Sequence, residues 1–396
     1  MRIGIVGPFN PLSVIDYLDD TDVKSINETA TAVNTLVREF LAQGHQVKVF
    51  TLSTTLPNLY RVLKGRNIEI VLIPTGIIPR FLGFHQMAVG SFYLPQRIAR
   101  CIKKRINDVD VLHAHWTYEY ARAASFFSTI IPVFDTVRDW CPYQMTLQKN
   151  WRGKYDWKLK HMLFKKVMAD SSIYFIANSS YTYQMIIGHF RGKKVSIIPN
   201  PIESSWILRS KLKQVSNTFI SISTNVFDPR KNIECLLDAF RLYRNLYPEA
   251  VLHLIGRYEE NDVFRTWKQG GKLVGVVFHG AIPHSDLASL LDDMSCLIHP
   301  SLEETFGNIL LEAMSRCVIC IGGDKSGAVP EVLGYGEFGF LCDITSAQSI
   351  FDAMLKTNNL ELVNRIQRQA TEMLINSYSS TRIVEKHIEL FRSVSS

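Results

Sequence analysis

The sequence predicts two α/β domains of similar size, each a parallel β-sheet layered with helices. Three observations carry this. Short apolar runs of strand length alternate with longer helical patterns along the chain, the order that parallel sheets need for their crossovers. The alternation breaks once, at Pro199-Asn200-Pro201, and the stretch from Ile202 to Asn217 is polar and strand-poor. Finally, 396 residues are too many for one ordinary core.

Taken in order, Arg2–Val6 reads as the first strand and Asn27–Gln43 as the first long helix, which Gly44 ends. Gln46–Leu52, Ile68–Ile73, Asp110–Ala114, Ile131–Thr136, Ile173–Ala177 and Lys194–Ile198 follow as strands. After the Pro-Asn-Pro hinge, a second series runs through Phe219–Ser223, Val251–Ile255, Gly275–Phe278, Cys296–Ile298 and Val318–Ile321, finishing near Phe340-Leu341-Cys342. The expected boundaries are 1–200 for a first domain, 201–376 for a second, and 377–396 for a terminal helix returning to the first. In open parallel sheets ligands bind beyond the carboxyl ends of the strands, so a cleft between the domains is the expected site.

Composition narrows the class. At 46% hydrophobic and 20% charged residues the chain is globular, and its richest apolar segment, Ile68 to Phe84, is cut by Pro74, Gly76, Pro79 and Arg80. Met1 to Val6 runs straight into Gly7-Pro8-Phe9-Asn10-Pro11 and then acidic residues, unlike a signal peptide, so a cytoplasmic protein is expected. Seven cysteines, mostly in apolar segments, read as reduced thiols. Cys317-Val-Ile-Cys320 lacks the second pair that a zinc site needs.

Charge is uneven. Residues 1–200 hold 25 Lys and Arg against 14 Asp and Glu, whereas residues 201–396 hold 19 against 23. The positive half includes Arg97 to Arg105 and a run in which Lys158, Lys160, Lys165 and Lys166 interleave with Trp157, Leu159, Met162, Leu163 and Phe164. Such a helix either packs on its own sheet or lies on an anionic membrane surface. No nucleic-acid-binding signature accompanies it, so no nucleic acid is expected as a partner.

The most informative stretch is Ser301 to Glu331. Glu304 stands in a polar loop after an apolar run, and Thr305, Phe306, Gly307 and Asn308 lead into a helix that carries Glu312 about one turn inside. The first turn of a helix offers unpaired N–H groups and a partial positive charge, which suits a diphosphate, and Gly307 lets a ligand approach the backbone. Glu304 and Glu312 would flank that anion, each able to accept hydrogen bonds from sugar hydroxyls.

Two glutamates separated by seven residues around Phe306-Gly307, followed by Leu310-Leu-Glu-Ala-Met314 and Ser326-Gly-Ala-Val-Pro-Glu-Val-Leu333, resemble the signature of the retaining glycosyltransferases of family 4, which have the GT-B fold. The resemblance spans nearly the whole chain, densest from about residue 218 to 345. It implies two Rossmann-like parallel-sheet domains facing across a cleft, the first binding the acceptor and the second a nucleotide sugar. Asp110-Val-Leu-His113-Ala-His115 resembles the family's D-V-x-H-x-H, so His115 is expected to contact the transferred sugar. Alternation puts His113 and His115 on one face, where a metal is the rival reading, but no third ligand has suitable spacing. Before the helix Ile233–Tyr243, Lys231 in Asp228-Pro-Arg-Lys-Asn232 matches the family's phosphate-binding Lys. The family's earlier Arg is replaced by the region Asn225-Val-Phe227, for which Arg230 is the candidate substitute.

The resemblance thus implies His115, Glu304 and Lys231 at the reacting centre. Arg230, Lys231, Arg257, Thr305, Phe306, Gly307, Asn308 and Glu312 would hold a UDP-, GDP- or ADP-linked sugar. It implies transfer with retention to a saccharide or lipid-linked saccharide, as in surface polysaccharide assembly, with no metal and no cofactor. Departures are Gly7-Pro8-Phe9-Asn10-Pro11 where a Gly-Gly loop is usual, Val137-Arg138-Asp139 where His-Asp is common, Pro201 at the hinge, and Arg257 after Gly256. Three other readings stay open. A metal-dependent transferase could use Asp20-Thr-Asp22 or Asp108-Val-Asp110. An oxidoreductase would need a G-x-G-x-x-G that the first loop lacks. A non-catalytic nucleotide-sugar-binding protein would show the same residues.

Overall fold

Arg2–Val6 (β1) is apolar at nearly every position because it lies in the middle of a sheet covered on both faces. The computed structural model describes residues 1–20, 22–23, 26, 30–56, 59–76, 90–91, 93–148, 151–207 and 217–395. The chain divides into two units, Met1–Pro201 with Ser380–Ser396, and Ile202–Ser379.

In the first unit β1 is followed by β2 (Gln46–Ser53), β3 (Arg61–Gly65), β4 (Ile68–Pro74), β5 (Val111–His115), β6 (Val133–Val137), β7 (Ile173–Ala177) and β8 (Val195–Ile197). They form one sheet in the order β3-β4-β2-β1-β5-β6-β7-β8, parallel throughout except for β3, which runs antiparallel to β4. The sequence reading had no β3. Arg61 and Lys64 flank a strand of which only Leu63 is buried, so its apolar signal is too thin to see. It exists because it pairs with β4 at the edge of the sheet, the place where a short charged strand is tolerated.

One face of this sheet is covered by the helices Leu94–Lys103, Glu119–Ser125 and Trp151–Ala169. The other carries the helix Thr31–Ala42 and the terminal helix Ser380–Ser395. Residues 27–29 of the expected first helix lie outside the described residues. The terminal helix belongs to the first unit because it buries Ile383, Val384, Ile388 and Phe391 there, with the Phe391 ring 4.6 Å from that of Phe134. Each such fully buried side chain contributes about 2 kcal/mol. At its start Ser380 and Thr381 donate to the Glu39 carboxylate, which also suits the positive end of the helix.

In the second unit β9 (Thr218–Asn225), β10 (Val251–Arg257), β11 (Val276–Gly280), β12 (Cys296–His299), β13 (Ile319–Gly323) and β14 (Phe340–Cys342) form a wholly parallel sheet, ordered β11-β10-β9-β12-β13-β14. The helix Ile233–Leu246 packs on one face and Asn308–Ser315 on the other, each with its apolar side inward. Both sheets reverse direction of growth once. In the first unit this happens between β1 and β5, in the second between β9 and β12. At such a switch point the loops leave neighbouring strands in opposite directions and open a crevice at the carboxyl ends. Among the described residues no helix is long and apolar enough to cross a membrane.

Candidate active site

At the switch point of the second unit, β9 leads into the turn Asp228–Asn232, and β12 ends at His299 and leads into the loop that carries Glu304. The two loops are stapled together, since the Leu302 N–H donates to the Arg230 carbonyl at 2.8 Å. The Glu304 carbonyl in turn accepts from Ala328 N–H at 2.9 Å, fixing the turn after β13 against the same loop. This brings together side chains distant in sequence. Lys231 Nζ donates to Glu304 Oε1 at 2.5 Å, and His299 Nε2 donates to the same oxygen at 3.2 Å. Burial by itself would push the Glu304 carboxyl up. The His299 hydrogen bond and the Lys231 ammonium outweigh it and hold the group far below the usual carboxylate range. Glu304 is therefore an anion here, with one oxygen committed to a cation.

His299 was missed by sequence reasoning. Its signal was its position, the last residue of an apolar strand, five residues before Glu304.

Gly307 caps the next helix, Asn308–Ser315, with φ 88°, a left-handed conformation that favours glycine. A Cβ there would also stand 3.2 Å from Leu310. Asn308 opens the helix and is half-buried, as is Thr305. Phe306, expected in the donor site, instead turns its ring into the apolar cluster beside Tyr378, so only its backbone borders the loop. Glu312 is buried on this helix with Oε1 3.1 Å from His284 Nε2, and the His284 ring stacks on Trp206 at 4.8 Å. Burial would lower the His284 pKa, but the Glu312 hydrogen bond and charge raise it above the ordinary imidazole value. Neither His284 nor Trp206 was singled out from the sequence.

The cations around this centre are unequal. Lys231 faces Glu304, whereas the guanidinium of Arg230 is held by its own Asp228, with Nη2 2.5 Å from Oδ2. Arg230 is thus not presented as a freestanding replacement for the family's missing arginine. Arg257 leaves the end of β10 exposed, its Nε 3.4 Å from the Thr224 carbonyl. Ser301 and Ser326 hydroxyls lie buried beside the loop without hydrogen-bond partners.

At the switch point of the first unit, His115 ends β5 and is fully buried. A Cβ on Gly7, which follows β1 on the neighbouring strand, would stand 3.0 Å from the His115 Cβ, so a larger residue would have to push His115 aside. Arg138 Nη2 donates to His115 Nδ1 at 3.0 Å, and Nη1 donates to Asn200 Oδ1 at 2.6 Å. Since a guanidinium can only donate, Nδ1 must accept, which leaves the proton on Nε2. That Nε2–H is buried with no partner. Burial, with His113 and Arg138 nearby, drives the His115 pKa well below its ordinary value, so the ring is neutral. His113 is tied to Thr136 at 2.7 Å, and its ring lies tilted against that of His387 of the terminal helix, with the centroids 5.1 Å apart. Arg138 stands where the resemblance has a His-Asp pair, and its guanidinium links His115 to Asn200.

Among the described residues no group of three or more His, Cys, Asp or Glu could hold a metal ion. Three of the four acids of the two D-x-D triplets are paired with cations of the fold. Asp20 pairs with Arg61 at 2.6 Å, Asp110 with Arg2 at 2.6 Å, and Asp108 with Lys48 at 3.4 Å. All seven cysteines are free thiols, and six of them are buried.

Residues 29–206 match the family model "Glycosyltransferase Family 4", and residues 204–373 match "Glycosyl transferases group 1". Over 110 residues the chain is 30% identical to N-acetyl-alpha-D-glucosaminyl L-malate synthase of Bacillus anthracis, covering 28% of this chain and 29% of that protein. Over 184 residues it is 25% identical to the serotype-specific mannosyltransferase WbdA of Escherichia coli, covering 45% of this chain and 20% of that protein. The chain thus spans less than a third of the length of either relative. Among solved structures, sucrose-phosphate synthase of Thermosynechococcus elongatus aligns with TM-score 0.74 at 16% identity, covering 100% of this chain and 99% of that one. Anabaena HepE in complex with UDP and glucose aligns with TM-score 0.67 at 16% identity, covering 99% and 100%. At such identities the likeness is one of fold. With the two family models spanning residues 29–206 and 204–373 in succession, this chain belongs to the family 4, group 1 glycosyltransferases of GT-B fold.

Proposed function

We propose that this chain transfers a sugar, with retention of anomeric configuration, from a nucleotide-diphosphate sugar to a saccharide or lipid-linked saccharide. The observation that carries the reading is the Lys231–Glu304–His299 cluster at the switch point of the second sheet, next to the left-handed start of the helix Asn308–Ser315. A diphosphate seated at that helix start would draw the Lys231 ammonium, while Glu304, ionised and fixed by His299, would accept from hydroxyls of the transferred sugar. Glu312 would take the ribose hydroxyls, exchanging its hydrogen bond with His284 for them. In the first unit the partnerless Nε2–H of His115 is a donor for a sugar hydroxyl.

As the nucleotide diphosphate departs, negative charge accumulates on it, and Lys231 with the helix N–H groups stabilises that charge. The acceptor hydroxyl enters on the face that the leaving group vacates, and the leaving phosphate takes its proton, so no enzymatic base is assigned. Positive charge comes from the chain itself, and transfer is expected to survive a chelator. The known complex of HepE with UDP and glucose supports testing UDP sugars first, and the mannosyltransferase relative supports surface polysaccharide as the product class. A lipid-linked acceptor would place the work at the cytoplasmic face of a membrane.

The test is a thermal-shift series of the full chain with UDP, GDP and ADP sugars, followed by radiolabel transfer from the stabilising donor. Ligand at about 100 times its Kd adds roughly 2.7 kcal/mol to the unit that binds it. Failure of every donor to raise the melting temperature would remove the reading, and stabilisation without turnover would make the chain a sugar-nucleotide-binding protein.

A further inference from the structure

The Glu312 carboxylate does not stand open to a ligand. Its Oε1 lies 3.1 Å from His284 Nε2, and His284 is the more exposed partner, its side chain at 38% against 10%. The imidazole therefore stands between the carboxylate and water. The ring is held there from its other side. Trp206, which ends the turn Ser204–Trp206, stacks on it with centroids 4.8 Å apart and planes inclined by 19°. Trp206 is fixed in turn, because Arg316 donates to its carbonyl at 3.3 Å and to Asp292 Oδ1 at 2.9 Å. A positive charge on this ring depends on Glu312. His284 is the first residue of the helix His284–Asp292, where the positive end of the helix dipole opposes a cation, and burial opposes it too. Of the other charged groups nearby, Glu203 favours the charge less than Glu312 does, Asp286 on the same first turn is exposed, and Arg316 is committed to Asp292.

We propose that His284 is a proton-operated latch on the donor site, closing Glu312 while the two are bonded and shedding its proton when the ribose of a nucleotide sugar takes its place. This rests on the assignment of the ribose to Glu312. A buried carboxylate is reached past the group that covers it, so the imidazole swings off Glu312 before the ribose hydroxyls bond there. The displaced ring still faces the unfavourable helix dipole and has lost its counter-charge, so it returns to the neutral form. The step balances. The N–H···O bond from His284 breaks, hydroxyl O–H···O bonds form to Glu312, and the imidazolium proton passes to water. His284 touches Glu312 and not the reacting atoms, so it is a positioning residue. Because binding releases a proton, donor affinity rises with pH up to the raised imidazole value and levels off above it, by at most about tenfold per pH unit.

The experiment is titration calorimetry of the full chain with UDP-glucose, GDP-mannose and ADP-glucose at about pH 6 and pH 8, the range over which His284 changes charge, each in two buffers of unlike ionisation enthalpy. The diphosphate of a nucleotide sugar does not titrate in this range, so the ligand adds no proton of its own. Expected at the lower pH is a binding heat that differs between the buffers in the sense of proton release, with affinity about fivefold or more higher at the upper pH. His284→Phe keeps a ring against Trp206, and His284→Asn keeps a neutral donor for Glu312. Both should lose the buffer dependence and the pH slope. A merely structural role would lower the melting temperature of the variants and leave their buffer dependence in place. Equal heats in both buffers overturn the latch, as does proton uptake, which would put the imidazolium on the diphosphate. A pH slope that persists in both variants overturns it too. Binding without proton release removes the latch alone, whereas no binding of any donor at either pH removes the donor-site reading and the latch with it.

Discussion

Glu304→Gln is the most discriminating perturbation, because it removes one charge and keeps the shape. The carboxylate is 19% exposed, accepts from Lys231 at 2.5 Å, and is supported by a His299 that is 3% exposed. A hydrogen bond to a charged group contributes about 1.5–3 kcal/mol, and breaking a fully buried ion pair costs about 3–5 kcal/mol. With a fifth of each side chain still in water, a loss near 2 kcal/mol is the reasonable expectation. For a unit of this size that lowers Tm by about 4–8 °C. The pH dependence follows from the sign of the shift. Glu304 is depressed in the folded state, so its stabilisation is fully present above the unfolded value near 4.5 and is lost as pH falls below it. Urea midpoints between pH 7 and 3 should therefore fall more steeply for the wild type than for Glu304→Gln, by up to about 1.4 kcal/mol per pH unit on the acid side. Sugar transfer at pH 7.5 should drop about 10²–10³-fold. If the stability change appears as expected but transfer falls less than tenfold, Glu304 only holds the loop in place and the active-site argument fails.

Three further expectations follow from the same geometry. His284 is raised by Glu312, so that pair stabilises fully below the unfolded imidazole value near 6.5 and its contribution is lost as pH rises through the raised one. His284→Phe should remove the corresponding alkaline decline in denaturation midpoints measured from pH 6 to 9. Arg138→Met should cost about 3 kcal/mol in chemical denaturation, because it strips buried donors from His115 and Asn200. Arg138→Lys should recover only part of that, since a single ammonium cannot span both acceptors. Gly307→Val forces a β-branched residue to φ 88° against Leu310, which should cost about 2 kcal/mol and weaken binding of the nucleotide diphosphate in calorimetry.

Much of this was legible in the sequence. Fully buried parallel strands such as Val111–His115 announce themselves as apolar runs, and the two-domain reading needed only their alternation with helices. Glu304, Gly307 and Glu312 could be placed because their separation is short and the helix that links them has a fixed period. What escaped was of another kind. Arg61–Gly65 (β3) draws its stability from β4 and not from its own residues. Phe306 looked like part of a ligand loop, yet its ring is worth more in the apolar cluster around Tyr378 than against a polar donor. Arg230 reads locally as the substitute for the family's missing phosphate-binding arginine, but Asp228, two residues earlier, holds its guanidinium.

The sequence by itself determined the alternation of strands and helices, the hinge, and the spacing of the acids around one helix start, because each follows from local periodicity and the geometry of a few successive residues. Only the tertiary structure decided that β12 lies beside β9 and β5 beside β1, and so where the two crevices open. That order joins Lys231 to Glu304 across 73 residues and Arg138 to Asn200 across 62. Whether a charged side chain serves a ligand or a neighbour depends on which partners packing brings within about 3 Å, and no local pattern in the chain encodes that distance.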